Sequence, residues 1–96
     1  IRIGNLEIDS ERYTVTFNGN PIKLTPNEFK LLFILAGRPG QTLTREQLLE
    51  DLHGAASSID RSVDSHIKNL RKKLEAESGI SMIETVYGIG YRFIER

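Results

Sequence analysis

No cysteine occurs among the 96 residues. That absence removes a disulfide framework, a thiolate metal site and a cysteine nucleophile, so packing alone must hold the fold. No apolar run approaches the roughly 18–20 residues of a membrane span, and the first residues lack the basic-then-apolar pattern of a secretory leader. Neither membrane insertion nor secretion by that route is expected, and a reducing cytoplasm is the compartment that fits. An excess of either charge is lacking too, since 13 Lys and Arg balance 13 Asp and Glu. A net charge of zero argues at first sight against a nucleic-acid binder, for which a basic domain is the usual footprint.

What remains is the composition of one ordinary folded domain, 39% hydrophobic and 27% charged, with 8 Gly and 3 Pro. A chain of this size buries roughly 60–65% of its unfolded surface, enough for a single core. There is no linker, repeat or low-complexity segment, so residues 1–96 read as one domain. Opening on Ile1 instead of Met, the chain reads as a piece excised or processed from something longer.

The distribution of charge reverses what its sum suggests. Between residues 60 and 73, Arg61, Lys68, Arg71, Lys72 and Lys73 stand against Asp60 and Asp64, a net of +3. Between residues 45 and 52, Arg45 is opposed by Glu46, Glu50 and Asp51, a net of −2. A basic stripe lies beside an acidic one, and a polyanion responds to the local field.

Residues 1–24 read as strands. Ile3, Leu6 and Ile8, then Tyr13, Val15 and Phe17, alternate with a period near two; Asp9-Ser10-Glu11 is the first turn expected, and Asn18-Gly19 supplies the positive-φ pair of a tight hairpin. Pro21 is confined to an edge or a strand start. At Leu24-Thr25-Pro26-Asn27-Glu28-Phe29 the pattern becomes a helix start, with Thr25 capping, Pro26 in the first helical position, Glu28 closing a capping box and Leu24 stapling Phe29. Leu43-Thr44-Arg45-Glu46-Gln47-Leu48 repeats the phrase. The first helix presents Phe29, Leu32, Phe33 and Ala36 inward and stops near Gly37; the second presents Leu48, Leu49 and Leu52 and stops near Gly54. The third runs from about Asp60 to Glu75, with Val63, Ile67, Leu70 and Leu74 as its buried stripe. Met82 to Val86 and Tyr91 to Ile94 then form a hairpin around Gly88-Ile89-Gly90. Gly88 or Gly90 is expected to take positive φ at the hairpin tip, and a β-branched residue at Gly90 to re-aim Thr85 and Tyr87 more than it destabilises the fold.

With the apolar stripe of the third helix at the bottom, Arg61, Ser65, Lys68, Asn69 and Lys72 come to the top, with Ser62 beside them. Asp64 and Arg71 lie on one flank, His66 and Lys73 on the other. Lys and Arg suit phosphate or guanine, Asn suits the adenine edge, and Ser allows close approach of the backbone. Such a face is equally an ordinary solvated surface, and what favours recognition is context. Three helices with a basic third and a glycine-tipped hairpin make a winged helix-turn-helix layout, an α+β fold with an N-terminal antiparallel sheet, a three-helix core and a C-terminal wing.

The stretches Asp60-Arg61-Ser62-Val63-Asp64-Ser65-His66-Ile67-Lys68-Asn69-Leu70-Arg71-Lys72-Lys73-Leu74 and Glu84-Thr85-Val86-Tyr87-Gly88-Ile89-Gly90-Tyr91-Arg92-Phe93 closely resemble the recognition helix and wing of OmpR/PhoB-family response regulators. The helix starts at Thr25 and Thr44 are similar to that family's as well, so the resemblance spans essentially the whole chain. It implies a bacterial effector domain, attached to a phosphorylated receiver that answers to a sensor kinase, and acting on transcription without catalysis or cofactor. It further implies a third helix in the major groove of double-stranded DNA, a wing at the minor groove, binding to direct repeats, and contact with RNA polymerase through the loop at 53–59. By motif position, Arg61, Ser62, Ser65, His66, Lys68, Asn69 and Arg71 are candidate DNA contacts, with Thr85 and Tyr87 on the wing. Arg71, Lys72 and backbone amides at helix starts would hold phosphates, while Arg61, Ser65, Lys68 and Asn69 face base edges. Asn69 and Tyr87 depart from strongly basic members, where arginines stand, so fewer ionic contacts follow.

Competing readings have less behind them. Ser62, Ser65, Asp64 and His66 form a tempting hydrolase set, but an exposed helix supplies neither an oriented base nor an oxyanion site. His53 and His66 are the only histidines, so no metal site is expected. Gly88-Ile89-Gly90 lacks the third glycine and the following helix of a dinucleotide loop. A winged helix used only for protein interaction is the alternative from another class, and the acidic second helix is either a solvated face or a neighbour of basic proteins.

Overall fold

The computed structural model describes residues 1–53 and 62–95, with side chains for all of these but His53 and Ser62. Four short strands open the chain: β1 (Arg2–Ile3), β2 (Leu6–Asp9), β3 (Thr14–Phe17) and β4 (Asn20–Pro21), paired antiparallel in that order. The alternation in β2 and β3 buries Leu6, Ile8 and Val15. Asn18 and Gly19 both take positive φ, at 52° and 79°, as the hairpin requires, and Pro21 sits in an edge strand. Two details differ from the pattern. The first reversal falls at Gly4-Asn5, and the turn after Asp9 is the second, held by Asp9 Oδ1 accepting from the amides of Glu11 and Arg12. Tyr13 lies outside β3 with φ at 54°, so it leaves the alternation, and its ring stacks on Phe29 at 4.4 Å between centroids.

Helix α1 (Pro26–Ala36) begins as its local chemistry dictates: Thr25 Oγ1 accepts from the Glu28 amide, and Glu28 Oε1 accepts from the Thr25 amide. Its inward residues are Phe29, Leu31, Leu32, Leu35 and Ala36, whereas Phe33 is 38% exposed. One helical stripe assigns Phe33 wrongly because α1 packs against several neighbours and is apolar around most of its circumference. A short strand that periodicity does not announce follows, β5 (Thr42–Thr44), and runs directly into α2 (Arg45–His53). Thr44 and Gln47 form the second capping box, the Thr44 amide donating to Gln47 Oε1 and the Gln47 amide to Thr44 Oγ1. The stop expected at Gly54 lies outside the described residues.

Helix α3 (Ser62–Ser78) outruns its expected end by one turn; Ser78 Oγ donates to the Leu74 carbonyl and the Gly79 amide to that of Glu75. Strands β6 (Ile83–Val86) and β7 (Gly90–Phe93) make the hairpin, and β5 joins its other side in the order β5-β7-β6. The wing is thus rooted in a three-stranded sheet. A core of leucines from all three helices with Ile83 and Phe93 lies between the sheets and helices.

The expectation for Gly90 is overturned. It is a strand residue opposite Thr44, and a Cβ there would meet the Leu43 carbonyl oxygen at 2.0 Å. Gly88 is the tip residue in the left-handed region, φ 78°, with open space around a Cβ. Gly90→Val is expected to lower unfolding free energy by about 3 kcal/mol, through backbone collision. Gly88→Ala should cost about 1 kcal/mol, the left-handed penalty alone. Denaturant melts of the two variants check this order.

Candidate nucleic-acid interface

Val63, Ile67, Leu70 and Leu74 are each at most 1% exposed, so one side of α3 is fully committed to the core. Ser65, Lys68, Asn69 and Lys72 are exposed on the side away from it. Among the described residues, neither Lys68 nor Lys72 has an ion-pair partner. The wing projects beside this face, its tip carrying Tyr87 at 90% exposure and Ile89 at 52%. Arg61 and residues 54–59 lie outside the described residues, as do the side chains of His53 and Ser62.

One flank of α3 is tied to α1. His66 Nε2 lies 3.2 Å from Asn27 Nδ2, and Lys73 Nζ donates to Glu28 Oε1 at 2.6 Å. Glu28 is 2% exposed, so the pair anchors α3 to the capped start of α1 and withdraws Lys73 from the basic stripe. Burial pushes the Glu28 carboxyl up. The bonds from Lys73 and the Thr25 amide, with the charges of Lys73 and His66, outweigh that and hold it below its ordinary value.

The other flank is tied to the wing. Asp64 Oδ1 accepts from Tyr91 Oη and, at 2.8 Å, from Arg45 Nε. The Tyr91 bond, with Arg45, lowers the Asp64 carboxyl against the effect of burial. Burial and then the bond to Asp64 raise the Tyr91 phenol, while the bond to Asp64 raises the Arg45 guanidinium. Arg71 Nη2 donates to Thr85 Oγ1 at 2.9 Å, and the guanidinium carbons of Arg45 and Arg71 lie 5.4 and 5.8 Å from the Tyr91 ring centre. Two residues offered as separate contacts, Arg71 and Thr85, are therefore bonded to each other. Arg45 and Tyr91 escape sequence reasoning because their partner is distant along the chain; the only signal is that Asp64 and Arg71 share a flank of the helical wheel.

A family model described as "Transcriptional regulatory protein, C terminal" matches residues 19–93. The chain belongs to this family. It is 47% identical over 90 residues to the transcriptional regulatory protein BaeR of Escherichia coli O6:H1, covering 92% of this chain and 38% of the relative. It spans about two fifths of the length of the curated relatives it matches. Among solved structures, the DNA-binding domain of Klebsiella pneumoniae RstA in complex with the RstA box superposes with a TM-score of 0.87 at 37% identity, covering 100% of this chain and 97% of that one. The DNA-binding domain of the response regulator AdeR, in complex with an intercistronic region, gives 0.89 at 31% identity and full coverage of both. These neighbours agree with the winged helix-turn-helix and with the OmpR/PhoB resemblance. They are transcription-regulator domains and not enzymes, which leaves the hydrolase reading without support.

The Glu28 site gives a pH prediction. A depressed carboxyl contributes stability that is full above its ordinary value of 4.5 and is lost as pH falls through the depressed one. Glu28→Gln should lower stability at neutral pH by about 1–3 kcal/mol, and acidification should cost the variant less than the parent. Urea titrations across the acid range would show the two curves converging.

Proposed function

We propose that this chain is the sequence-specific DNA-binding effector domain of a bacterial two-component response regulator, acting in the cytoplasm on transcription. The observation that carries this reading is the exposed face of α3, where Ser65, Lys68, Asn69 and Lys72 stand in solvent beside a projecting wing. Complexes of RstA and AdeR with DNA on the same fold support it. In this reading α3 enters the major groove, Lys72 and Lys68 face phosphate or guanine, and Ser65 and Asn69 face base edges. By motif position Arg61, Ser62 and His66 are further candidate contacts in this reading, and Tyr87 brings the wing to the minor groove. Direct repeats are the DNA target, and a receiver domain outside this chain takes phosphate from a sensor kinase. No cofactor takes part.

Asn69 and Lys72 should fail differently. Asn69→Ala removes a donor–acceptor pair suited to adenine, and should cost roughly 1–3 kcal/mol at one base position while relaxing preference there. Lys72→Ala should weaken binding to every sequence alike and lower the salt slope by about 0.9. Binding of both variants to a selected site, its single-base variants and random DNA at several salt concentrations distinguishes them. Uniform loss with Asn69→Ala, or no effect of either, would favour the protein-interaction module instead.

The 53–59 segment meets RNA polymerase in this reading, because His53-Gly54-Ala55-Ala56-Ser57-Ser58-Ile59 has no Lys or Arg to offer a phosphate. Substitutions at Ala55 and Ala56 should change reconstituted transcription and leave DNA affinity intact; a matching loss of affinity would overturn this.

A further inference from the structure

We infer that Arg71 is a strut fixing the angle of the wing against α3, and not an independent phosphate anchor. This rests on the DNA-binding reading above. An arginine that reaches for phosphate presents its N–H edge to solvent. Arg71 instead has its Nε buried, without a partner among the described residues, and its Nη2 engaged by Thr85 Oγ1. Its guanidinium also lies near the Tyr91 ring.

The arrangement gains meaning from the register of the hairpin. Thr85 and Tyr91 are direct cross-strand partners in β6 and β7. Arg71 holds the first and Asp64 the second. Asp64 and Arg71 stand two turns apart on one flank of α3, about 10 Å along its axis. One such bond would leave the wing free to swivel about it, whereas two attachments at different heights set an angle. Arg45 braces the lower one from α2 by sharing Asp64 Oδ1.

The wing has no cation of its own between residues 81 and 91, and Arg92 is bonded to Glu84. Whatever the wing adds to binding is therefore largely non-ionic. A strut and an anchor then differ in an observable way. Losing a phosphate anchor flattens the salt dependence of affinity by about 0.9 per contact. Losing a strut weakens binding and leaves that slope alone.

The test uses the whole chain and double-stranded DNA that it selects from a random pool, with Lys72→Ala as the reference for an ionic contact. Arg71→Met keeps the stem and drops the guanidinium, while Thr85→Val keeps the shape and drops the hydroxyl. Each should weaken binding by roughly 5- to 10-fold. The double variant should bind about as weakly as Arg71→Met alone, since the two side chains act as a unit. All three should keep the parental salt slope and lose hydroxyl-radical protection on the wing side only, and Thr85→Ser should restore affinity. Thermal melts of each variant separate these effects from unfolding. A slope lowered by Arg71→Met as far as by Lys72→Ala, or losses that add in the double variant, would overturn the strut. Failure of the parent chain to select or bind any double-stranded DNA would overturn the DNA-binding reading itself, and the strut with it.

Discussion

The rotation of α3 about its own axis decides where the functional side chains of that helix point. Four residues, Val63, Ile67, Leu70 and Leu74, set it by near-complete burial. Each contributes about 1.5–3 kcal/mol. The Arg45–Asp64 pair, roughly half exposed on both sides, belongs to a class worth about 0–1 kcal/mol. Apolar burial therefore chooses the rotation, and the polar contacts follow. With the stripe down, Ser65, Lys68, Asn69 and Lys72 come up, Asp64 and Arg71 turn to the wing, and His66 and Lys73 turn to α1.

The same geometry explains how a chain without net charge can keep a basic face. Part of its acid is ion-paired within the chain, with Glu28 on Lys73, Asp64 on Arg45, Glu84 on Arg92, Glu7 on Arg2 and Asp9 on Arg12. Those pairs remove cations as well, but they do so away from the exposed side of α3. Lys68 and Lys72 remain, and a polyanion would meet the local field and not the sum.

What the sequence discloses is what short-range chemistry decides. Both capping boxes are legible because their partners are three residues apart, and the α3 stripe because its period is unmistakable. Strand β5 is not, since three residues carry no period and become a strand only by pairing with β7, far along the chain. Phe33 is misplaced because a helix with several apolar neighbours has no single inner face, and Tyr13 because its positive φ breaks an alternation that composition alone suggests. The exposed face of α3 follows from the wheel, whereas the bond between Arg71 and Thr85 depends on the register of a hairpin that no local pattern specifies.

Thr44 holds two appointments at once: it faces Gly90 in the sheet that roots the wing, and its side chain caps α2. Between the wing's foundation and the helix-turn-helix there is accordingly no slack chain. Inserting a residue there would rotate one structure out of phase with the other, so loop length is closed as a way of adjusting how far the wing reaches. A domain built on this plan can retune its wing only by exchanging side chains in the seam between α3 and the hairpin, one methylene or one hydroxyl at a time.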